Sequence, residues 1–231
     1  SDQLHAIGEM TLEQENFRLA RDLAAQHGSA NMGEQSLDGL CRYYMLYSRF
    51  QEGLRICRQT IQFLEKDQSL PETHILKAGL LRWQASYLSN QSDIQSANQI
   101  LQPLVRLLQE KVAQTPGWEY ELAYTCVLLA GINTNNPTLN TLELAQQGLH
   151  HFRSIGGLWE ISLALSTLSH VHDRMGNRQE CYRAAMEALE TANEQGDPYL
   201  ITRSKTTLSY CLMMAGEVEH ALELVRELAV Y

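Results

Sequence analysis

The residue types that most often carry out chemistry are present in this chain, but their spacing predicts no metal site. The histidines cluster only as His150-His151 and as His170 with His172. Neighbours at i and i+1, or at i and i+2, point to different faces of a helix, so neither pair can chelate a metal as His-x-x-x-His does. We expect His172 to be a packed, hydrogen-bonded core residue rather than a ligand.

The five cysteines, at positions 41, 57, 126, 181 and 211, are also placed as structural residues. Their odd number, their wide spacing and the lack of a Cys-x-x-Cys pair argue against a disulfide framework and against a zinc site. Each lies in an apolar helical stretch, where a thiol packs as a small core residue. Free cysteines of this kind predict a reducing, cytoplasmic compartment.

The sequence lacks the short motifs that hold phosphates or nucleophiles. It contains no Gly-x-x-x-x-Gly-Lys-Ser/Thr loop, no Gly-x-Gly-x-x-Gly turn and no Gly-x-Ser-x-Gly elbow. We therefore predict that the protein is not an enzyme and binds no cofactor. We interpret Met213-Met214 as core and groove filler rather than as part of a cofactor site.

Composition limits the possible partners. Of 231 residues, 44% are apolar and 19% are charged, which is typical of a folded chain. The formal net charge of −9 argues against a nucleic-acid-binding surface, because phosphate binding needs concentrated Lys and Arg. No apolar run is long enough to span a membrane. The chain starts without Met and without a signal peptide, so we expect it to be a fragment of a larger protein.

The elements that must position any functional residues are helices separated by regularly spaced breaks. Strand-like alternation is nowhere sustained. One set of breaks recurs every 40 or 44 residues, at Gly8, Ser48, Ser92, Asn136, Gly176 and Gly216. We predict that Asn136-Pro137 forms a turn with the proline at the first helical position. Pro103 should kink or split the helix expected over 93–113, near Leu101-Gln102.

A second set of breaks divides each unit into two helices. Three of them follow a first break by 20 residues, and the other two lie close to prolines. They are Gly28, Gln68-Ser69, Gln114-Thr115, Gly156 and Gly196. Each unit is therefore predicted to be a pair of antiparallel helices joined by a tight loop.

The spacing of small and large residues within these units resembles the tetratricopeptide repeat family. The last unit has Leu208-Ser209, Leu212, Gly216, Val218, Ala221, Val225 and Leu228. The preceding unit has Leu168-Ser169, His172, Gly176, Cys181, Ala185 and Ala188, and an earlier one has Leu40-Cys41, Tyr44, Ser48, Phe50, Gly53 and Cys57. The small residues are needed where helices cross closely.

The period of 40 to 44 residues is longer than the 34 usual in that family. It is similar to the arrays of bacterial signalling ATPases and maltose-activator-like transcription regulators. The resemblance implies an all-α fold, an alpha-alpha superhelix built as a solenoid of antiparallel helical hairpins. We expect residues 1–231 to form a single array of about five and a half hairpins.

The resemblance also implies a binding surface. In such solenoids the concave face is lined by side chains of the first helix of each hairpin that point away from the second helix. Counted in this register, the candidate partner-binding residues are Asp38, Arg42, Arg82, Ser86, Asn133, His170, Asp173, Arg203, Tyr210 and Met213. Ser166 and Thr206 lie on the same predicted face. The arginines are suited to binding carboxylates or peptide backbone.

Three functions remain open at this point. The leading hypothesis is a non-catalytic protein–protein interaction module that binds a peptide or a partner domain within a bacterial signalling or transcription regulator. A second is a small-molecule sensor domain of such a regulator, and a third is a homo-oligomerisation scaffold, for instance a homodimer through the terminal repeats. None of the three requires direct contact with nucleic acid or membrane.

Overall fold

The computed structural model describes residues 34–66 and 74–228. Within these residues the chain is all-α and forms ten helices. They are α1 (Glu34–Leu46), α2 (Phe50–Lys66), α3 (Ile75–Asn90), α4 (Ile94–Gln114), α5 (Glu119–Ile132), α6 (Leu139–Ile155), α7 (Leu158–Arg174), α8 (Arg178–Gln195), α9 (Pro198–Ala215) and α10 (Val218–Leu228). None of the helices in this part of the chain has the length and apolar character needed to cross a bilayer.

Most of the predicted breaks are confirmed as turns between helices. Gly176 and Gly216 have φ of 78° and 87°, and Ser48 and Ser92 occupy the same left-handed region with φ of 55° and 65°. Residues with a side chain are sterically disfavoured at such angles, so these two serines are exceptions among the non-glycine residues. The breaks at Gly156, at Gly196 and at the end of α4 are also confirmed. The predicted breaks at Gly8, Gly28 and Gln68-Ser69 lie outside the described residues.

The break at Asn136 is longer than expected, and the predicted position of Pro137 is wrong. The helix before it ends at Ile132, and α6 begins only after Thr138. Thr138 and Thr141 form a reciprocal capping box, in which the Thr138 hydroxyl accepts from the Thr141 amide at 3.3 Å. Since the threonine cap satisfies this helix end, Pro137 stays one residue outside it instead of occupying the first helical position.

Pro103 does not split its helix. The residues of α4 run from Ile94 to Gln114 without a break, so of the two predicted effects the split is wrong and the kink near Leu101-Gln102 stays a prediction. Leu101, Leu104 and Leu108 are all buried along one side of the helix. Burial of three leucine side chains stabilises the helix by more free energy than the roughly 3 kcal/mol that an internal proline costs.

The described residues divide into two compact units, with the boundary between Leu101 and Gln102. In the first unit α1, α2 and α3 pack against one another. Tyr87 of α3 is fully buried and donates its hydroxyl to the Cys41 carbonyl of α1 at 2.7 Å. The ring of Tyr87 lies directly over Gly53 of α2. A small residue at position 53 is therefore what lets the three helices meet.

In the second unit, consecutive helices from α5 to α10 pack together, and α7 also contacts α5 and α9. Two layers of small residues join α7, α8 and α9. In one, the hydroxyls of Ser162 and Ser204 both donate to the Ala188 carbonyl, at 2.9 and 3.3 Å. In the other, Ser169 donates to the Cys181 carbonyl at 3.0 Å and lies 3.3 Å from the Cys211 sulfur.

The prediction that the cysteines are core residues is confirmed. All five are free and buried. Two pairs lie close together, Cys41 with Cys57 (Sγ to Sγ 3.9 Å) and Cys181 with Cys211 (2.9 Å). Each pair lies between two helices, and the small size of the thiols allows those helices to pack closely.

We expect Gly53→Ala to lower the free energy of unfolding by about 1–3 kcal/mol, because the new methyl group would overlap the buried Tyr87 ring. Gly39 in α1 is the matched control, since a methyl group there meets nothing within 4 Å. Gly39→Ala should raise stability by about 0.5–1 kcal/mol through helix propensity. Urea denaturation measures both, and an equal effect of the two substitutions would contradict the predicted packing.

Candidate functional site

In the first unit, the predicted site residues gather around one carboxylate. Asp38 accepts hydrogen bonds from Arg82 at 3.3 Å, from Trp83 Nε1 at 2.7 Å and, at its other oxygen, from Arg42 at 3.3 Å. The Arg82 guanidinium also lies 5.0 Å from the centre of the Trp83 ring, a cation–π distance. Three side chains from two helices thus hold one carboxylate of α1 in place.

Opposing effects set the pKa of Asp38. Burial alone would raise it, but the guanidinium groups of Arg82 and Arg42 and the hydrogen bond from Trp83 outweigh burial and hold the pKa below its usual value. Asp38 is therefore ionised at neutral pH, and its charge neutralises Arg82. Because Arg82 is only 1% exposed, this carboxylate compensates a buried cation.

Ser86, the last predicted residue of this unit, is also buried. Its carbonyl accepts a hydrogen bond from the Asn90 side chain at 2.9 Å, near the end of α3. Of the four predicted residues in this unit, Asp38 and Arg42 keep about a third of their side chains exposed, whereas Arg82 and Ser86 are covered.

In the second unit, the predicted residues come together on α7 and α9. The Tyr210 hydroxyl donates to Asp173 at 3.2 Å, which ties the two helices together near their C-terminal ends. Arg203 lies close enough to His170 to affect its titration. Four of the six predicted residues in this unit, His170, Asp173, Arg203 and Tyr210, therefore interact across one helix pair.

His170 is neutral at pH 7 in this arrangement. Burial is the largest cause that lowers its pKa, and the positive charges of Arg203 and Arg174 lower it further. The carboxylate of Asp173 acts in the opposite direction without cancelling them. A neutral imidazole can donate a hydrogen bond from one ring nitrogen and accept one at the other.

The other two predicted residues of this unit lie at the ends of helices. The Asn133 side chain donates to the Leu129 carbonyl at 2.8 Å, where α5 ends. Met213 is 55% exposed and Met214 is 50% exposed. The core part of their interpretation as core and groove filler is therefore wrong, because both lie in the last turn of α9 beside the loop at Gly216, and the place of Met213 in a groove stays a prediction. His172, by contrast, is buried and within hydrogen-bond distance of Asn177, as predicted.

Comparison with solved structures identifies the fold. The repeats of a Podosopora anserina kinesin-light-chain-type protein, called TPR-like, match at TM-score 0.62 and 17% identity, over 85% of this chain and 92% of that one. A Rap protein complexed with competence and sporulation factor matches at TM-score 0.63 and 14% identity, over 88% of this chain and 56% of that one. This chain has a tetratricopeptide-like fold.

A third tetratricopeptide-like structure belongs to a signal transduction ATPase with numerous domains from Pyrococcus horikoshii, which carries a tetratricopeptide repeat sensor. It matches at TM-score 0.56 and 16% identity, over 98% of this chain. The present chain spans about a third of that protein and just over half of the Rap protein. No family model matches the chain, and no curated protein matches it significantly.

The structure brings α7 and α9, the predicted first helices of their hairpins, into direct contact. Two residues that contribute to the candidate surfaces were missed in the sequence. Trp83 follows Arg82 directly, and only the structure shows that it contacts Asp38. Tyr199, which is 51% exposed, lies four residues before Arg203 on α9, and this i, i+4 spacing could have revealed it.

We expect Asp38→Asn to destabilise the first unit by about 2 kcal/mol, because it leaves the buried Arg82 cation without its counter-charge. Glu52→Gln is the matched control: Glu52 pairs with Arg49 on the surface, and its loss should cost less than about 1 kcal/mol. Thermal or urea unfolding monitored by circular dichroism measures both.

The lowered pKa of Asp38 also predicts how the stability difference between wild type and Asp38→Asn depends on pH. The pKa of Asp38 is lower in the folded than in the unfolded chain, so its stabilisation is complete above the ordinary pKa and is lost as pH falls through the folded one. The stability difference between wild type and Asp38→Asn should therefore shrink below about pH 4. A difference that stays constant down to pH 2 would show that ionisation of Asp38 is not its source.

Proposed function

We propose that this chain is a non-catalytic protein-interaction module that binds a peptide or a partner domain through α7 and α9. The supporting observation is a continuous row of side chains along α9. The row, called here the α9 row, recurs every three or four residues and consists of Tyr199, Arg203, Thr206, Tyr210 and Met213. That spacing places all five on one side of the helix.

The composition of the α9 row suits protein binding. Tyrosine, arginine and methionine are the residue types enriched at protein interfaces, because they combine apolar area with a polar or adaptable end. Tyr199 and Met213, at its two ends, are about half exposed, and Arg203 and Tyr210 between them are partly exposed. The side chains at the two ends can bury apolar surface against a partner. The hydrogen-bonding groups between them can fix the orientation in which the partner binds.

The broader setting is part of the same proposal. Two of the matched structures come from a Rap protein and a signal transduction ATPase, and these support a place in a multidomain signalling protein. The buried free cysteines support a reducing, cytoplasmic environment. The role in transcription regulation and the small-molecule sensor hypothesis remain predictions from the sequence.

Affinity capture from native lysate tests the interaction. We expect the double variant Arg203→Glu/Met213→Glu to lose a partner that wild type retains. The matched control, Tyr182→Glu/Arg183→Glu, makes one apolar and one arginine change on exposed positions of α8. Loss in the α9 variant alone supports the proposal, provided that both variants keep the wild-type melting temperature. Equal retention by both variants would place binding elsewhere.

A second candidate function is self-association through α10. Val218, Leu222 and Val225 recur at i, i+4 and i+7, and each is about half exposed, so they form one apolar side of this helix. We expect wild type to sediment as a dimer or larger species at micromolar concentrations and Leu222→Glu to sediment as a monomer. Ile155→Glu removes a single apolar residue of equal exposure and is the control. A monomeric wild type in analytical ultracentrifugation would exclude this function for the chain.

A further inference from the structure

Cys181 of α8 and Cys211 of α9 are the closest pair of cysteines in the part of the chain that the structure describes. Both are free thiols, and their sulfur atoms lie 2.9 Å apart. An S–S bond is about 2.05 Å long, so the two sulfurs are only about 0.9 Å beyond bonding distance. The side chains already point at each other across the contact between two neighbouring helices.

A hydroxyl group from a third helix touches both sulfurs. The Oγ atom of Ser169 on α7 lies 3.4 Å from the Cys181 sulfur and 3.3 Å from the Cys211 sulfur. The same hydroxyl is within hydrogen-bond distance of the Cys181 carbonyl, at 3.0 Å. Polar atoms of three helices therefore meet at one point, and this contact holds the two sulfurs facing each other.

The two sulfurs differ in acidity. A hydrogen bond from the Cys211 thiol is the main cause that lowers the pKa of Cys181 to about 7; burial and the charge of Asp173 oppose it, and a hydrogen bond from Ser169 adds to it. The same thiol–thiol contact, together with burial, raises the pKa of Cys211. The thiolate is the nucleophilic form of cysteine. Cys181 is therefore the sulfur that reacts first, and Cys211 remains a protonated thiol beside it.

The pair is also the most accessible of the described cysteines. Cys181 is 3% and Cys211 is 6% exposed, whereas the other three are 0% exposed. Both belong to a small buried cluster to which α10 contributes Ala221. Within 218–227, Ala221 is the only buried side chain of α10, so little free energy is needed to open this helix locally. A small neutral oxidant can thus reach the sulfurs.

We propose that Cys181 and Cys211 form a redox modification site, at which hydrogen peroxide converts the two thiols into a reversible disulfide between α8 and α9. The Cys181 thiolate attacks one peroxide oxygen, the O–O bond breaks, and the departing hydroxide takes up a proton to form water. The Cys211 sulfur then attacks the resulting sulfenic acid, the S–O bond breaks, and hydroxide leaves with the Cys211 proton as a second water. The two thiols lose two electrons and two protons, and peroxide is reduced to water.

This site is compatible with a reducing compartment and does not depend on the proposed function. Disulfides that form in such a compartment are usually transient, and free thiols reverse them by exchange. Cysteines that sit beside a second, resolving cysteine and have a low pKa are typical redox sensors. The wide spacing of the cysteines argues against a permanent disulfide framework, but it places no restriction on a reversible one.

The chain contains an internal control for this chemistry. Cys41 and Cys57 also form a pair between two helices, but their sulfurs are 3.9 Å apart and both residues are 0% exposed. The hydrogen bond with Cys41 and burial raise the pKa of Cys57. Cys126 is a single buried thiol whose pKa burial raises to about 12. We expect all three to stay reduced under conditions that oxidise the Cys181–Cys211 pair.

Peptide mapping of the oxidised protein tests the proposal. The reduced full chain is treated with hydrogen peroxide without denaturant, the remaining thiols are blocked with N-ethylmaleimide, and the protein is digested with trypsin. Cleavage after arginine and lysine places the two cysteines in separate peptides, 179–183 and 206–226. Mass spectrometry should find these peptides joined with the loss of two hydrogen atoms, and dithiothreitol should separate them. The other three cysteines should react about tenfold more slowly or less.

Two variants test the order of the steps. Cys211→Ser removes the resolving thiol but keeps a hydrogen-bond donor of similar size, so oxidation should stop at a Cys181 sulfenic acid that dimedone traps. Cys181→Ser should leave Cys211 unlabelled, because its pKa is raised. Circular dichroism checks that both variants fold, and the wild-type peptide map needs neither of them. Dimedone labelling of Cys211 in Cys181→Ser, with none of Cys181 in Cys211→Ser, would overturn the assigned order.

Several results would overturn the site itself. The linked peptides could be absent from wild type, could form only in urea, or could form no faster than a link between Cys41 and Cys57. In each case the close approach of the two thiols serves packing alone. A link between two molecules, seen as a dimer in non-reducing electrophoresis, would contradict a bond between α8 and α9 of one chain. Irreversible sulfinic acid at Cys181 as the main product would show that Cys211 does not resolve the first step.

Discussion

The close approach of α7, α8 and α9 is the constraint on which the second unit depends. Ser162, Ser204 and the Ala188 carbonyl form one contact layer, and Ser169, Cys211 and the Cys181 carbonyl form another, seven residues further along each helix. Because α8 runs antiparallel to the other two, its carbonyls appear in the reverse order. Larger side chains at these positions would separate the helices, and no polar pair could then form between α7 and α9.

That packing brings polar side chains of α7 and α9 within reach of one another. The Tyr210 hydroxyl of α9 donates to Asp173 of α7 near the C-terminal ends of both helices. These two side chains satisfy each other, whereas the Ser166 hydroxyl of α7 and the Arg203 Nε of α9 have no hydrogen-bond partner among the described residues. The same two helices therefore carry polar atoms that are satisfied within the protein and buried polar atoms that are not.

The hairpin fold could be predicted from the sequence because its signals are local. Gly176, Gly196 and Gly216 end helices in the left-handed conformation, and helical periodicity between them needs no tertiary information. Local sequence signals gave wrong predictions where a second interaction opposed them. Pro137 suggested a helix start, but Thr138 and Thr141 form a stronger cap one residue later. Pro103 suggested a break, but buried leucines on both sides of it keep the helix intact.

The two candidate arginines show why the site could not be predicted as well as the fold. Arg82 and Arg203 were assigned to the same face by the same register, and nothing in their local sequence distinguishes them. Arg82 is buried and pairs with the Asp38 carboxylate, 44 residues earlier in the chain, whereas the Arg203 charge acts on the neutral imidazole of His170. The groups that the tertiary fold brings to each guanidinium, rather than its local sequence, decide whether that guanidinium stabilises the protein.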